Sequence, residues 1–421
     1  MHRHWMTAAA CAALLAAGAG FPVAGSPGAG PGALAAEDLL SFKLAGEVDA
    51  DVTAAAQNTS YVFKAAVAPF QDSTADALVD GKLTFSRKYT TLGLLDFTAV
   101  NTAVISHGSL ATVETPVLTI NELYTDVNFG DLLYLRVGKQ RLKWGTGYVY
   151  NPSDPVNPPK DPTAARAVRE GVPAAKAELI TPVVSLAAFG VIFDELAETG
   201  AGGRLSTSKI PGTDLSLSGY WSQGESWTAA LNASVAPLYE VPGWDTWQLW
   251  FEGGLFGKAR YKSFGDGITP GIWDGVQYSF LVGTSATVPE IRTVLITEYH
   301  HLSEGLDAGQ LSTVYANASL AWLAELARRP ARLGTDYLFV SLTQPSITDS
   351  GHPVLDKIGL RASTLVSLTD QSFFLQAGVI TSFVEDSTVE LGVNWAKGAP
   401  HTEFAEVPAF LSGTLTVRVF F

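Results

Sequence analysis

Glu122, Tyr124, Asp126 and Arg136 carry the charge arrangement most worth tracing. Residues 122, 124 and 126 alternate along one segment, so in a strand their side chains share a face. A three-residue turn at Phe129-Gly130-Asp131 sets Tyr124 opposite Arg136, with Glu122 and Asp126 as diagonal neighbours. Two carboxylates, a phenol and a guanidinium so arranged hold fixed charge. They contain no nucleophile with its base. The other face of the same pair holds Leu123, Val127, Leu133, Leu135 and Val137. Chemistry of the bond-making kind finds little support elsewhere. His107, His300, His301, His352 and His401 are scattered, and the Gly-x-Ser-x-Gly pattern of a hydrolase nucleophile is absent. Glu298 with His300-His301 has metal-ligand residue types, but adjacent strand residues face opposite ways, so only one histidine shares the face of Glu298. No catalytic residue, metal site or cofactor is expected.

The elements that must position these charges are strands. Gly413-Thr414-Leu415-Thr416-Val417-Arg418-Val419-Phe420-Phe421 ends the chain. Leu415, Val417, Val419 and Phe421 make one wholly apolar face, while Thr416 and Arg418 lie on the other. A strand with lipid on one side and water on the other reads this way. The run resembles the C-terminal signal that barrel-insertion machinery reads in outer-membrane proteins. Alternation recurs in Leu215/Leu217 against Ser216/Ser218, in Leu231/Ala233/Val235 against Asn232/Ser234, and in Leu249/Phe251 against Gln248/Glu252.

The N-terminal end agrees. Arg3 sits in a basic start, Thr7 to Ala17 is a short apolar stretch, and Ala33-Leu34-Ala35 is a small-x-small cleavage site. Residues 1–35 are therefore expected to be a signal peptide; cleavage after Ala24 is the alternative. Cys11, the single cysteine, falls inside it, so the processed chain would have no thiol. The net charge of −14 argues against a nucleic-acid partner. After residue 36 no long uncharged apolar run offers a membrane helix.

Candidate strands lie near 41–53, 60–70, 79–89, 92–105, 117–128, 132–142, 174–183, 185–195, 202–209, 213–222, 226–236, 245–257, 272–285, 291–301, 334–344, 356–368, 372–383, 387–397 and 411–421. That is one more than the even number a bacterial barrel takes. Either one early candidate is spurious or 79–105 is a single bent strand. The expected fold is all-β: a closed antiparallel transmembrane β-barrel of about 18 strands, with 16 as the alternative, forming one domain over 36–421. Long gaps at 143–173, 258–271, 302–333 and 398–410 fall outside the cell, and tight turns fall inside; 345–355 is long for its side. Trp221, Trp227, Trp244, Trp247, Trp273 and Trp395 lie near strand ends, as interface aromatics do. Leu311, Tyr315, Ala318, Trp322 and Leu326 have helical spacing, which predicts a short helix over 310–328 in an outer loop.

One motif stands apart: Leu135-Arg136-Val137-Gly138-Lys139-Gln140-Arg141-Leu142-Lys143-Trp144-Gly145, then Asn151-Pro152-Ser153-Asp154-Pro155-Val156-Asn157-Pro158. With Asn121-Glu122-Leu123-Tyr124, Ser367 to Ser372 at a hairpin tip, and Gly398 with Glu403-Phe404, it resembles porin-like outer-membrane barrels, including those of the alginate-export type. The resemblance covers 117–421 and implies passive transport across the outer membrane without naming a solute. On that reading the partners are outer-membrane lipid, the insertion machinery and small hydrophilic or anionic solutes.

The lipid reading sharpens the charges. Arg136 should point into the lumen, since a charge on the lipid face costs about 2–4 kcal/mol at the midplane. Beyond Gly138 the phase is open. Lys139, Arg141 and Lys143 would continue the lipid-facing set unless they lie above the bilayer or a bulge at Gly138 turns them inward, the preferred alternative. Glu122, Tyr124, Asp126, Arg136, Gln140, Arg141 and Lys143 are thus the lumen candidates. The proline-rich loop 143–173 carries Asp154, Lys160, Arg166, Arg169 and Glu170. It either folds inward as a constriction or stays on the surface. Two rivals to a small-solute channel remain: a dedicated exporter of an acidic polysaccharide, which needs an Arg- and Lys-lined lumen, and a plugged structural or adhesin barrel.

Overall fold

The computed structural model describes residues 40–57, 73–90, 96–109, 117–130, 132–142, 144–157, 160, 171–192, 199–224, 227–242, 245–263, 271–288, 291–316, 333–383, 386–405 and 409–420. Among them the strands run β1 (Leu40–Gln57), β2 (Ser73–Thr90), β3 (Asp96–Ser109), β4 (Val117–Phe129), β5 (Leu133–Gln140), β6 (Val172–Ile180), β7 (Ser185–Val191), β8 (Gly200–Thr207) and β9 (Thr213–Ser222). The order continues with β10 (Trp227–Val235), β11 (Gln248–Ser263), β12 (Gly271–Val288), β13 (Thr293–Leu302), β14 (Asp336–Gln344), β15 (Ile358–Ser367), β16 (Phe373–Thr381), β17 (Ser387–Lys397) and β18 (Ala409–Phe420).

They form one antiparallel sheet in which every strand hydrogen-bonds its neighbours in sequence. β1 also pairs with β18, with Val48 opposite Val419 and Val52 opposite Leu415. Candidates 79–89 and 92–105 are two strands, β2 and β3, so the single bent strand is corrected. Candidate 60–70 and the signal segment lie outside the described residues.

The two faces of the sheet invert the pattern of a water-soluble protein. Apolar residues are the exposed ones: Val137 at 59 %, Leu217 at 59 % and Leu391 at 62 %. Polar residues on the opposite face are buried, among them Ser216, Ser218, Asn232, Glu252 and Glu298. Alternation along each strand produces this division. An apolar face left open across many strands fits lipid as its solvent. Leu415, Val417 and Val419 are on that outer face; Phe421 is outside the described residues.

Connections differ between the two ends. One end has short turns at 130–132, 181–184, 208–212, 289–292 and 382–386, together with longer links at 236–247 and 345–357. The other has the long loops 141–171, 303–335 and 398–408, together with short links at 223–226 and 368–372. Tight turns have local causes. Gly130 takes a φ of 58° between β4 and β5, a conformation glycine adopts without penalty. Thr181 closes its turn through its hydroxyl, which accepts from Val184 N at 3.1 Å. Asp370 accepts from Ser372 N at 3.1 Å and Ser372 Oγ at 2.7 Å at the tip between β15 and β16.

Helix α1 spans Ala308–Ala316 in loop 303–335 and buries Leu311, Val314 and Tyr315. It starts two residues before the predicted helix, and Ala318, Trp322 and Leu326 lie outside the described residues. Trp221, Trp227 and Trp395 are exposed on the outer face at the loop end, with Trp221 opposite Trp227. Trp244 and the side chain of Trp273 are outside the described set.

Candidate functional site

The site forms where β5 stops being a strand. Arg136 lies opposite Asp126, and Tyr124 lies opposite Gly138. This corrects the predicted register, in which Tyr124 faced Arg136. The turn occupies 130–132, with Phe129 opposite Leu133, so each pairing moves by two residues and the face is kept. Arg136 makes a bidentate pair with Asp126, at 2.5 and 2.8 Å, and its guanidinium lies 4.0 Å over the Tyr124 ring. A planar guanidinium matches a carboxylate fork in this way.

The expected bulge at Gly138 is also corrected. Lys139 pairs with Leu123 without a break in register, and it stays in that residue's set. The irregularity lies instead between β3 and β4, at Val104/Ile105, where Asn121 has no opposite residue. Gly138 still has a special role: its φ is 131°, and a Cβ there would stand 2.3 Å from the Leu123 carbonyl oxygen. The chain turns inward after β5 rather than within it. Gln140 is fully buried and donates to the Ala174 carbonyl at 2.9 Å, and Arg141 pairs with Glu122 at 2.5 Å. Lys143 lies outside the described residues.

From Arg141 the loop crosses the interior to the opposite wall. Two buried carboxylates receive it, Glu252 on β11 and Glu298 on β13. Glu252 accepts from Thr146 N and Gly147 N, both at 2.9 Å, from Ser153 N at 2.9 Å and from Ser153 Oγ at 2.7 Å. Glu298 accepts from Tyr148 N at 2.5 Å, Val149 N at 2.7 Å and Trp250 Nε1 at 2.9 Å. Strands cannot hydrogen-bond a crossing loop through their own ladders, so side-chain carboxylates satisfy its orphan N–H groups. Apolar contact adds to the anchorage. Val149 and Tyr150 pack with Trp250, Leu281, Tyr337, Phe339 and Phe404. Tyr150 stacks on His300 with ring centroids 4.1 Å apart.

The Asn-Pro-Ser-Asp-Pro-Val-Asn-Pro motif shapes the loop itself. Asp154 accepts from Val156 N at 3.1 Å and from Asn157 N at 3.0 Å. Asn157 accepts from Leu142 N at 3.1 Å and donates back to the Leu142 carbonyl, closing the loop's base. Asn151 donates to the Trp144 carbonyl at 2.5 Å. Gly145 and Gly147 are glycines for want of room: a Cβ on Gly147 would stand 1.9 Å from the Tyr150 carbonyl oxygen.

Two sequence candidates therefore act differently from expectation. Asp154 is bonded within the loop, and the Lys160 ammonium binds the carbonyls of Gly147 and Tyr148. Arg166, Arg169 and Glu170 lie outside the described residues. Glu252, Glu298 and the Arg361–Glu390 pair at 2.5 Å were not among the sequence candidates. Their signal was a carboxylate at an inward step of an aromatic or apolar strand, as in Trp250-Phe251-Glu252.

The crossing loop divides the interior into unlike sides. On the β6–β9 side, Leu142, Trp144 and Val156 pack against Val172, Phe189, Val191 and Tyr220, which fills the loop end of that side with apolar groups, while Lys176, Glu178, Ser216 and Ser218 lie nearer the turns. Toward β14–β18 the inner face becomes polar on the turn side of the Phe339, Leu365 and Ala396 cluster. Gln376 donates to Asn394 at 3.2 Å, and Asn394 donates to Ser412 at 3.1 Å. This polar side, bounded by paired charges, suits water and hydrophilic solutes.

No family model matches the chain, and no curated protein matches it. Solved structures do. OccK5 (OpdH) of Pseudomonas aeruginosa superposes with a TM-score of 0.55 at 8% identity, covering 90% of this chain and 98% of that one. OccAB1 of Acinetobacter baumannii gives 0.57 at 10% identity, covering 91% and 96%. The outer membrane protein OprD of Pseudomonas aeruginosa gives 0.51 at 9% identity, covering 91% and 92%. At these identities the likeness is one of fold: an antiparallel β-barrel of the kind these proteins share.

Proposed function

We propose that this chain is a porin-like channel of the cell outer membrane that passes small hydrophilic or anionic solutes passively. On this reading the sheet is one closed 18-stranded barrel over 36–421, and residues 1–35 are a cleaved signal. The face of Leu415, Val417, Val419 and Phe421 is what the insertion machinery reads. The observation that carries the proposal is the loop pinned across the interior by Glu252 and Glu298. Such a loop narrows the passage on one side and packs an apolar cluster into the loop end of the other, which gives a small filter rather than a wide pore. The pairing of β1 with β18 and the outward apolar face support the barrel part.

A dedicated exporter of an acidic polysaccharide is the weaker reading. It calls for an excess of inward cations. Here Arg136, Arg141, Lys176 and Arg361 stand beside Asp126, Glu122, Glu178 and Glu390. The alginate-export-type resemblance rests on residues that build the crossing loop, so it speaks for the architecture and not for that cargo. The test is single-channel recording of the purified protein in planar bilayers. Discrete conductance steps with a reversal potential in a salt gradient are expected. A protein that inserts but carries no current would overturn the channel reading.

A further inference from the structure

We infer that the polar side of the constriction is a stacking-and-hydroxyl site for an uncharged sugar ring, a pyranose. The inference rests on the channel reading and names a solute class for it.

Three observations meet there. The first is Tyr148. Its loop neighbours Val149 and Tyr150 are buried, at 3 % and 9 %, but Tyr148 is 54 % exposed. It is not loose. Its N–H is held by Glu298 at 2.5 Å, its carbonyl by Lys160 at 3.2 Å, and its ring lies on Phe339 with centroids 5.8 Å apart at 25°. An aromatic ring so fixed, with open surface in a wet interior, is a prepared platform whose ordering cost was met on folding. The second is a row on the inner face of five successive strands. Ser341, Ser363, Gln376, Asn394 and Ser412 stand opposite one another in register from β14 to β18. All five are neutral, and each offers a hydroxyl or amide. The third is distance. Phe339, the base of the stack, is two residues from Ser341 on β14, about 7 Å along the strand. The base of the platform and the first member of the row are thus about one sugar ring apart.

A pyranose presents an apolar C–H face and an equatorial rim of hydroxyls. The C–H face fits an aromatic platform, and the rim fits neutral donors and acceptors. The Ser341 and Ser363 hydroxyls, which open the row beside the platform, accept and donate at once, and the amides of Gln376 and Asn394 continue the row about 10 and 14 Å further across the sheet. Toward the turn end, Arg361 one inward step and Glu390 two steps beyond the row are paired at 2.5 Å, so this wall offers polarity with its charges matched. An open-chain polyol of similar size has no flat face to stack.

Purified protein in planar bilayers is titrated with D-glucose and, separately, with the linear hexitol sorbitol. Glucose is expected to block the ion current saturably, and sorbitol to lower it only as viscosity requires. Tyr148→Ala should weaken the block roughly three- to tenfold, the range of one aromatic contact; Tyr148→Phe should retain it. Equal, non-saturating effects of the two solutes through an open channel would overturn the sugar site and leave the channel reading standing. Saturation-transfer NMR on the detergent-solubilised protein gives a readout that needs no current. Transfer to the ring C–H protons of glucose in wild type, lost in a heat-modifiable Tyr148→Ala barrel, supports the site even if no conductance is found. Absence of transfer in wild type refutes it.

Discussion

Replacing Glu252 by Gln removes the charge that holds the crossing loop and leaves the side chain's shape intact. Glu252 takes two donors on each oxygen: Thr146 N and Gly147 N on Oε2, Ser153 N and Ser153 Oγ on Oε1. Glutamine has one carbonyl oxygen, so its NH2 must face one of these donor pairs. Two hydrogen bonds to a charged acceptor are lost whichever way the amide turns. At about 1.5–3 kcal/mol each, the loop is weakened by about 3–6 kcal/mol. The lower figure is favoured, because the Ser153 hydroxyl has a second acceptor in Asn232 Oδ1, 3.4 Å away. A loss of about 3 kcal/mol changes the ratio of seated to released loop roughly a hundredfold. Glu298→Gln acts on the next two loop residues, Tyr148 and Val149. The two effects share one loop, so they will not simply add. Single-channel recording should show larger conductance or open-channel noise in Glu252→Gln, and more of both in the double variant. Amide exchange at 146–153 should accelerate in step. A double variant with wild-type conductance, noise and exchange at those positions would refute the anchoring role.

Arg136→Ala should leave the barrel folded and shift ion selectivity toward cations, because Asp126 is then uncompensated. The stability cost should be about 1 kcal/mol or less, since both partners are partly exposed and screened. Unchanged reversal potentials in a salt gradient would count against it. In the link 345–357, the Thr348 hydroxyl at 2.5 Å and then the Ser350 N–H hold the Asp356 carboxyl below the ordinary carboxylate range. That contribution is present above the unfolded value near ~4 and is lost as pH falls through the depressed folded one. Exchange over 348–356, corrected for its intrinsic pH dependence, should rise below about pH 4; a flat profile from pH 6 to pH 3 would refute this. Deleting Phe420-Phe421 should reduce the heat-modifiable barrel in the outer membrane more than any single inward substitution does, and normal amounts would argue against a terminal assembly signal.

The strands were legible because alternation is a local property. Leu215, Leu217 and Ser216, Ser218 reveal their two faces without knowledge of any partner strand. Lipid outside and water inside enforce that period over every crossing, so the inward phase of Arg136 followed from Leu133, Leu135 and Val137 alone. Register was less legible. A turn displaced by one residue moves each opposite pair by two, which exchanged Tyr124 for Asp126 as the partner of Arg136 without changing faces. The fate of loop 141–157 was not legible at all. Its prolines and asparagines announce a stiff, self-bonded loop, and the hydrogen bonds of Asn151, Asp154 and Asn157 are local enough to fit that. Whether the loop stands outside or crosses the interior depends on Glu252 and Glu298, which are about 100 and 150 residues away in sequence. A carboxylate on an inward step looks the same in sequence whether it faces water or a loop's N–H groups. Only the curvature of the sheet, which brings β11 and β13 across from β5, decides between them.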